Sequence, residues 1–299
     1  SDQAAYELTR IAKPSFGEII EFNHGTVGIM FVPRFGREMV NPATRHECRV
    51  VVENEALSAI AAAGAKQVCL GGLIGGLTKY GERIRATADT LNLDVTTGHA
   101  ATAISIVKLY RKSLDEMQLD AGGLKVVVLG VGSVGAAVAS GIVRRGPKPA
   151  ALTLIDIPQK RGRLETLAAQ YRRHGVETSI ELTTTRGQLA DDTDCYDADV
   201  VICAVSTADV LDVDRVRPGT ILIDDSQPHC FSRKAAWARL ERRGDIVPCD
   251  AGLVQTNGIG WRSFFDFGFA DNGPQGSTIA WSCLVEGMLR LMRPGTLPS

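Results

Sequence analysis

Continuous apolar runs in the second half of the chain predict a set of buried strands. Val126–Leu129 and Ala151–Asp156 are two such runs, and a helix-forming stretch follows each of them. Apolar runs without polar alternation are typical of parallel strands that are covered on both faces. Four further strands are predicted at Val176–Leu182, Ala198–Val205, Gly219–Asp225 and Asp245–Val254. The pattern therefore predicts an α/β fold with a Rossmann-like parallel sheet.

The first part of the chain has a mixed pattern, which predicts a smaller α/β domain. Glu18–Phe35 is rich in β-forming residues and predicts a hairpin, Ala43–Gly64 predicts a helix, and Leu91–Leu114 predicts a strand, a turn and a long helix. Leu70–Gly81 is rich in glycine and has two interpretations, an irregular connection or a loop where a ligand approaches the backbone. We expect a substrate domain over 1–118, a Rossmann domain over 119–270 and a C-terminal helix within 271–299.

That last helix is predicted over Ser277–Met292, and it contains Cys283. Ile279, Leu284 and Met288 lie on one stripe with Cys283 at helical spacing. Considered alone, a thiol on such a stripe is more often a small core residue than a nucleophile. We expect this helix to lie at the seam of the two domains.

The clearest motif is a glycine fingerprint directly after the Val126–Leu129 strand. Gly130, Gly132 and Gly135 have the spacing GxGxxG, with Ser133 and Val134 between the last two. The first glycine permits a tight turn, the second a close approach to a pyrophosphate, and the third close packing of the helix on the strand. A strand before the motif and a helix after it make a dinucleotide site the expected function of this loop.

The type of dinucleotide is left open by the residues that follow. Asp156 ends the next strand, where a carboxylate that binds the ribose of NAD(H) is expected, since it would repel a 2′-phosphate. Lys160, Arg161 and Arg163 come soon afterwards, and each is a candidate to hold that phosphate in NADP(H). Ser206, after a later strand, is expected to face the nicotinamide.

Composition and charge narrow the classes of partner. The 299 residues have a formal net charge of −1, which gives no overall attraction to nucleic acid or to a membrane surface. No apolar run reaches the length of a membrane span. Seven dispersed cysteines without a CxxC pair predict no metal site, and they are typical of reduced thiols in a cytoplasmic protein. Cys230, beside His229, is a rival to Cys283 as a reactive thiol.

His99 is the histidine with the most favourable position for catalysis. It follows Gly98 at the predicted start of a long helix, where Thr96 or Thr97 is the expected N-cap and backbone N–H groups are open. A histidine there suits a proton donor, although a plain N-terminal helix residue is an equally good interpretation.

The order of four motifs resembles that of the cyanobacterial long-chain acyl-(acyl-carrier-protein) reductases. These motifs are GAKQVCLGG, TTGHAATA, the glycine fingerprint and AWSCLVEGM. The resemblance implies reduction of a carrier-bound thioester to an aldehyde with NADPH, through an acyl-enzyme on Cys283. The chain departs from the family in reading GVGSVG at the fingerprint, in the acidic Asp156, and in having His99 followed by Ala101 where a histidine is expected.

The resemblance also implies a set of roles. Cys283 would attack the thioester of an acyl carrier protein or of acyl-CoA, N–H groups near Gly98 would stabilise the oxyanion, and His99 would protonate the product, while Glu286 would tune the thiol. Acidic carriers would dock on one of two basic patches, Arg144/Arg145/Lys148 or Arg239/Arg242/Arg243. Two alternatives remain: an oxidoreductase like shikimate or amino-acid dehydrogenases, without a covalent intermediate, and a non-catalytic NAD(P)-binding protein.

Overall fold

A computed structural model describes residues 7–8, 10–22, 25–256 and 279–292. The chain forms two compact units, one of residues 1–98 with 253–299, the other of residues 99–252. These divisions differ from the expected ones at 118/119 and 270/271. The long helix that starts at His99 belongs to the unit of the parallel sheet, and the helix with Cys283 belongs to the unit of the first 98 residues.

The second unit is built on a six-stranded parallel sheet, which confirms the predicted fold class. Its order is β10-β9-β8-β5-β6-β7, and all neighbouring pairs run parallel. The strands are β5 Lys125–Leu129, β6 Ala151–Asp156, β7 Glu177–Leu182, β8 Val200–Cys203, β9 Thr220–Asp224 and β10 Ile246–Asp250. The helices are α6 His99–Met117, α7 Ser133–Arg145, α8 Arg161–Arg173 and α9 Arg233–Arg243. The apolar runs are buried as predicted, since side chains from both faces of the sheet belong to two apolar core clusters.

Helix α6 joins this unit because it packs closely on α7. A methyl group placed at Gly141 of α7 would lie 2.9 Å from Cγ2 of Val107 on α6, so the two helices touch through a position without a side chain. The Ser105 hydroxyl also lies 3.5 Å from the carbonyl oxygen of Ala251, which it faces as a donor. The predicted domain boundary at residue 118 missed this contact, which joins residues distant in the chain.

The first unit combines small sheets and short helices. The predicted hairpin is confirmed as β1 Ser15–Phe22 and β2 Gly25–Phe31, an antiparallel pair. The helices are α1 Gly36–Val40, α2 Arg45–Val51, α3 Leu57–Ala62, α4 Ile74–Leu77 and α5 Arg85–Thr90, with a π-helical turn at Val52–Ala56 between α2 and α3. β3 Gln67–Cys69 pairs in parallel with β4 Asp94–Thr96, and β11 Leu253–Gln255 pairs antiparallel with β12 Ile279–Trp281.

The last helix, α10 Ser282–Met292, is shorter than predicted. Ile279 lies on β12 and not on the helix, because Ile279–Trp281 forms backbone pairs with Leu253–Gln255. Residues 277 and 278 of the predicted helix lie outside the described residues. The correction moves Cys283 from the middle of a helix to its second residue, which changes its chemical surroundings.

The close contact at the start of α7 leads to a prediction about stability. A methyl group at Gly135 would lie 2.0 Å from the carbonyl oxygen of Gly130, so Gly135→Ala must push the helix away from the strand. We expect a loss of about 3 kcal/mol in the free energy of unfolding, measured by urea denaturation. Gly162→Ala is the matched control, since Gly162 lies in α8 with nothing within 4 Å. It should gain up to about 1 kcal/mol from helix propensity, and an equal loss in both variants would contradict the explanation.

Candidate nucleotide site and the Cys283 helix

The glycine loop has the geometry of a dinucleotide site. Gly130 has a φ of +90°, and a methyl group there would lie 2.5 Å from the carbonyl oxygen of Ala204. Gly132 is the N-cap of α7, and Ser133 and Val134 are the first two helical residues, all three partly exposed. The first N–H groups of α7 therefore lie beside the loop, as a pyrophosphate requires. These residues fit the group that the fingerprint predicts.

Asp156 lies at the end of β6 as predicted, but its carboxylate is turned toward the glycine loop. It is only 7% exposed. One oxygen, Oδ2, accepts the N–H of Val131 at 2.7 Å and the ammonium of Lys160 at 2.9 Å, while Oδ1 accepts the N–H of Ile157 at 2.8 Å. A ribose that donates two hydroxyl hydrogen bonds would have to displace Lys160, since most acceptor positions of the carboxylate are already used.

Two of the three candidate cations lie against the loop. Lys160 pairs with Asp156, and Nη2 of Arg163 donates to the carbonyl oxygen of Gly132 at 3.2 Å. Arg161 instead pairs with Glu165 on the exposed side of α8, at 3.8 Å. Lys160 and Arg163 thus place positive charge beside the glycine loop. Ser206 follows β8 and is exposed, while the neighbouring Val205 N–H donates to Ser226 Oγ at 3.1 Å.

Cys283 is held by glycines and by another cysteine in the first unit. A methyl group at Gly98 would lie 2.5 Å from Cβ and 2.8 Å from Cα of Cys283, and one at Gly71 would lie 3.8 Å from its Sγ. The Cys69 thiol donates to the Cys283 carbonyl at 3.1 Å. Cys283 is partly exposed, and as the second residue of α10 it lies at the positive end of the helix dipole. Such a position favours a thiolate.

Buried polar groups connect α10 to β4. The Thr96 hydroxyl, at the end of β4, donates to Glu286. Arg290 pairs with Asp94 at 2.5 Å. Burial raises the pKa of Cys69 well above its ordinary value, and the nearby Cys283 and Glu286 raise it further. Cys69 is therefore a neutral hydrogen-bond donor that fixes the first turn of α10.

His99 is the first residue of α6 and is partly buried. Gly98, before it, has a φ of +72°, which confirms the predicted turn between β4 and the helix. Its role as a proton donor remains a prediction.

The rival thiol, Cys230, is fully buried in the apolar core. A hydrogen bond with Cys230, together with burial, raises the pKa of Cys203 well above its ordinary value. Burial also raises the pKa of Cys249. None of the seven cysteines forms a disulfide. Of the thiols considered as nucleophiles, Cys283 alone combines partial exposure with a helix N-terminus.

A pair that sequence reasoning missed is Asp224 with His229, after β9. Asp224 is buried, and its Oδ2 lies 3.0 Å from Nδ1 of His229. The sequence signal would have been the short DDSQPH stretch at the carboxyl end of a strand, where ligand-binding residues collect in parallel sheets. That position predicts a stretch near the cleft, but it does not by itself pair the acid with the histidine.

Asp225, next to this pair, has an unusual acidity. Burial raises its pKa to about 7, and the carboxylates of Asp224 and Asp250 contribute.

No group of three or more histidine, cysteine or acidic side chains in the described part of the chain is arranged to hold a metal ion. Within the same residues, no helix has the length and apolar character needed to cross a membrane.

Comparisons with known proteins give only distant structural likenesses. No family model and no curated protein match the chain. A formate dehydrogenase from Staphylococcus aureus in complex with NAD is 13% identical, with a TM-score of 0.39 over 72% of this chain and 69% of that one. Shikimate 5-dehydrogenase from Listeria monocytogenes, with shikimate and NAD, is 13% identical with a TM-score of 0.35, covering 49% of this chain and 52% of that one.

A dipicolinate synthase from Bacillus halodurans is 18% identical with a TM-score of 0.35, over 56% of this chain and 53% of that one. The alignments thus span about half the length of the synthase and of the shikimate dehydrogenase. None of the three names an acyl-thioester reductase, and likenesses this low decide nothing about the chemistry of the chain.

The contact between Gly98 and Cys283 gives a second prediction. Gly98→Ala adds a methyl group where the backbone of Cys283 already lies, so it should shift the first turn of α10 and lower the free energy of unfolding by about 3 kcal/mol. Gly72→Ala is the control, since Gly72 has a φ of +56° but no atom of the described residues would lie within 4 Å of the added methyl group. It should lose only the smaller cost of the left-handed backbone, about 1 kcal/mol. Urea denaturation measures both, and equal losses would contradict the contact.

Asp225 gives a third prediction, on pH. Because its pKa is raised from 3.8 to about 7, the folded protein binds an extra proton between these values and loses stability as the pH rises through them. Asp225→Asn removes this loss. The variant should therefore gain roughly 2 kcal/mol relative to the wild type between pH 5 and pH 8, measured by urea denaturation at each pH. An unchanged difference would contradict the raised pKa.

Proposed function

We propose that the chain is an NAD(P)-dependent oxidoreductase. The observation that supports it is the glycine loop, where Gly130 and Gly135 permit contacts that no side chain would allow and the start of α7 lies beside two cations. A bound nicotinamide would supply or accept a hydride. The residues of the loop would hold the pyrophosphate, and Lys160 and Arg163 would hold further anionic groups.

Within this class we propose reduction of an acyl thioester to an aldehyde, with Cys283 as the nucleophile. Support comes from the position of Cys283 at the start of α10, with its thiol next to Gly71, a residue without a side chain. The thiolate would attack the thioester carbon, and the carrier thiol would leave with the proton that Cys283 gave up. Hydride addition then gives a hemithioacetal, which releases the aldehyde and restores Cys283.

The partner under this proposal is an acyl carrier protein or acyl-CoA. In the patch Arg239/Arg242/Arg243, Arg239 is 0% exposed and pairs with Asp245, so only Arg242 and Arg243 present charge to a carrier. Arg144, Arg145 and Lys148 are exposed, but Arg144 and Arg145 end α7 and Lys148 follows it, so the patch lies about 20 Å from the glycine loop along a helix of 13 residues. A carrier docked there would have to extend its arm along the whole of α7.

A second candidate is an oxidoreductase without a covalent intermediate. The observation that favours it is the carboxyl group of Glu286, which lies one turn from Cys283 and raises the pKa of the nearby Cys69 thiol. A carboxylate in this place opposes a thiolate at Cys283, against the effect of the helix dipole. In this candidate Cys283 would serve only packing.

Cys283→Ser separates the two candidates. We expect wild-type protein incubated with butyryl-CoA and no nucleotide to gain the mass of one acyl group, measured on the intact protein, and Cys283→Ser to gain none. Cys249→Ser is the matched control, since that thiol is also partly buried in a regular element. Its acyl gain should equal that of the wild type. No acyl gain in the wild type would favour the second candidate.

Lys160 tests the nucleotide site and its preference. Adenosine 2′,5′-bisphosphate and ADP probe the adenosine half of NADP(H) and NAD(H), and titration calorimetry gives both dissociation constants without turnover. We expect Lys160→Met to weaken the bisphosphate roughly 10- to 100-fold, because an ammonium–phosphate contact is lost, and to leave ADP unchanged or tighter once Asp156 is released.

Arg161→Met is the control for that experiment, since Arg161 points away from the loop, toward Glu165. It should change neither constant. If the wild type binds both probes equally, the site serves NAD(H), and if it binds neither, the proposed function fails.

A further inference from the structure

The glycine-rich segment Leu70–Gly81 forms an open surface beside Cys283. It follows β3 as a loop, the short helix α4 and a turn. A methyl group at Gly71 would lie 3.8 Å from Sγ of Cys283, so the loop contacts the thiol. Gly72 and Gly76 are exposed, and no atom of the described residues would lie within 4 Å of a methyl group at either position. Of the two interpretations of this segment, these positions favour a surface that another molecule approaches.

Arg34 and Arg37 lie on one side of the loop. The link is Gly36, where a methyl group would lie 3.1 Å from Cδ1 of Leu73. Arg37 is exposed, with its guanidinium carbon 4.9 Å from the centre of the Phe35 ring. Arg34 is partly exposed, and its Nη1 donates to the carbonyl oxygen of the preceding residue at 2.7 Å. Both residues therefore bring positive charge to this side of the loop.

Lys79, Arg83 and Arg85 lie on the other side of the loop. The turn that carries Lys79 packs on the loop through Gly81, since a methyl group there would lie 3.7 Å from Cδ1 of Leu70. All three cations are exposed. Within the described part of the chain, neither Arg83 nor Arg85 forms an ion pair with an acidic side chain. Their charges therefore face solvent.

Acidic side chains are fewer on this surface. Residues 34–38 and 79–85 contain five arginine or lysine residues and two glutamates. Glu38 is buried and accepts a backbone N–H at 2.8 Å. Glu82 is exposed, and its carboxylate lies 3.8 Å from Nζ of Lys79. The surface is therefore positive, whereas the chain as a whole has a formal net charge of −1.

The turn that presents Lys79 is held in one conformation. Lys79 and Tyr80 have φ angles of +51° and +59°, in the left-handed region. Residues other than glycine adopt this region at a cost of about 1 to 3 kcal/mol each. Hydrogen bonds maintain it, since the Tyr80 N–H donates to the Gly75 carbonyl at 2.6 Å and the Arg83 N–H donates to the Thr78 carbonyl at 3.0 Å. Such a preorganised turn loses little freedom when a partner binds.

We propose that these cations form the docking face for an acidic carrier protein. The basic face consists of Arg34, Arg37, Lys79, Arg83 and Arg85. Opposite charges on the two proteins would guide their encounter. Because the cations flank the loop on two sides, an extended acidic surface complements them better than one small anion does. The basic face belongs to the same unit as Cys283, whereas both patches predicted from the sequence belong to the sheet unit. The pantetheine arm of the carrier would cross the glycine-rich loop to reach the thiol.

This inference rests on the proposed acyl transfer to Cys283, and its test keeps the two apart. The acyl gain of the intact protein is followed with a butyryl-loaded bacterial acyl carrier protein and with S-butyryl-N-acetylcysteamine, a neutral fragment of the same arm. We expect Arg83→Glu/Arg85→Glu to lower the rate constant with the carrier roughly 10-fold or more, because attraction becomes repulsion. The neutral donor should react with this variant as with the wild type. Added salt should slow the wild-type reaction with the carrier and not that with the neutral donor.

Lys66→Glu/Lys108→Glu is the matched control, since both lysines are exposed and lie outside the basic face, one before β3 and the other on α6. It should keep the wild-type rate with the carrier. Carrier binding to Cys283→Ser protein, measured by calorimetry, should weaken in proportion when the two arginines are reversed, which tests the face without any acyl transfer.

Butyryl-CoA is the third donor, and it separates a protein face from a site for a small anion. An equal loss of rate with butyryl-CoA and with the carrier overturns the proposal, as does unchanged carrier binding in the arginine variant. No acyl gain from any of the three donors contradicts the proposed acyl transfer, while the calorimetry still decides whether the carrier docks on the basic face.

Discussion

The close contact between the end of β5 and the start of α7 is the constraint on which the sheet unit depends. Gly135 touches the Gly130 carbonyl, and Gly130 touches the Ala204 carbonyl after β8. The intervening Val131 N–H is bound by Asp156 at the end of β6. Three central strands therefore end against one loop, and the same contacts leave the first N–H groups of α7 beside a surface without side chains. The packing of the sheet unit and the candidate nucleotide site share these few atoms.

The strands of the sheet could be predicted because burial on both faces requires a continuous run of apolar residues in each strand. The Ala151–Asp156 run was predicted at its observed bounds, β5 begins one residue before its predicted run, at Lys125, and the other strands lie within their predicted runs. The run Asp245–Val254 instead divides after Asp250, since Leu253–Gln255 pairs with Ile279–Trp281. That pairing also moves the start of α10. Neither the end of β10 nor the start of α10 can be predicted from the neighbouring residues alone, because each depends on pairing with a segment more than twenty positions away.

Prediction of the site met a similar limit. The glycine motif specified its own geometry, but the direction of a side chain depends on its neighbours in space. Asp156 turns inward because Val131, Ile157 and Lys160 all donate to it. His229 and Cys230 were considered together as sequence neighbours, yet the ring contacts Asp224 and the thiol is buried in the core. The contacts of Cys283 with Gly71 and Gly98 likewise join segments that are distant in the chain.

The two units are built from different numbers of chain segments. Residues 99–252 form the sheet unit as one uninterrupted segment, whereas the other unit needs residues from both sides of that segment. During synthesis, every residue of the sheet unit is therefore available before β12 and α10 have been made. The other unit can be completed only after that point, and Cys283 enters the fold with this later segment.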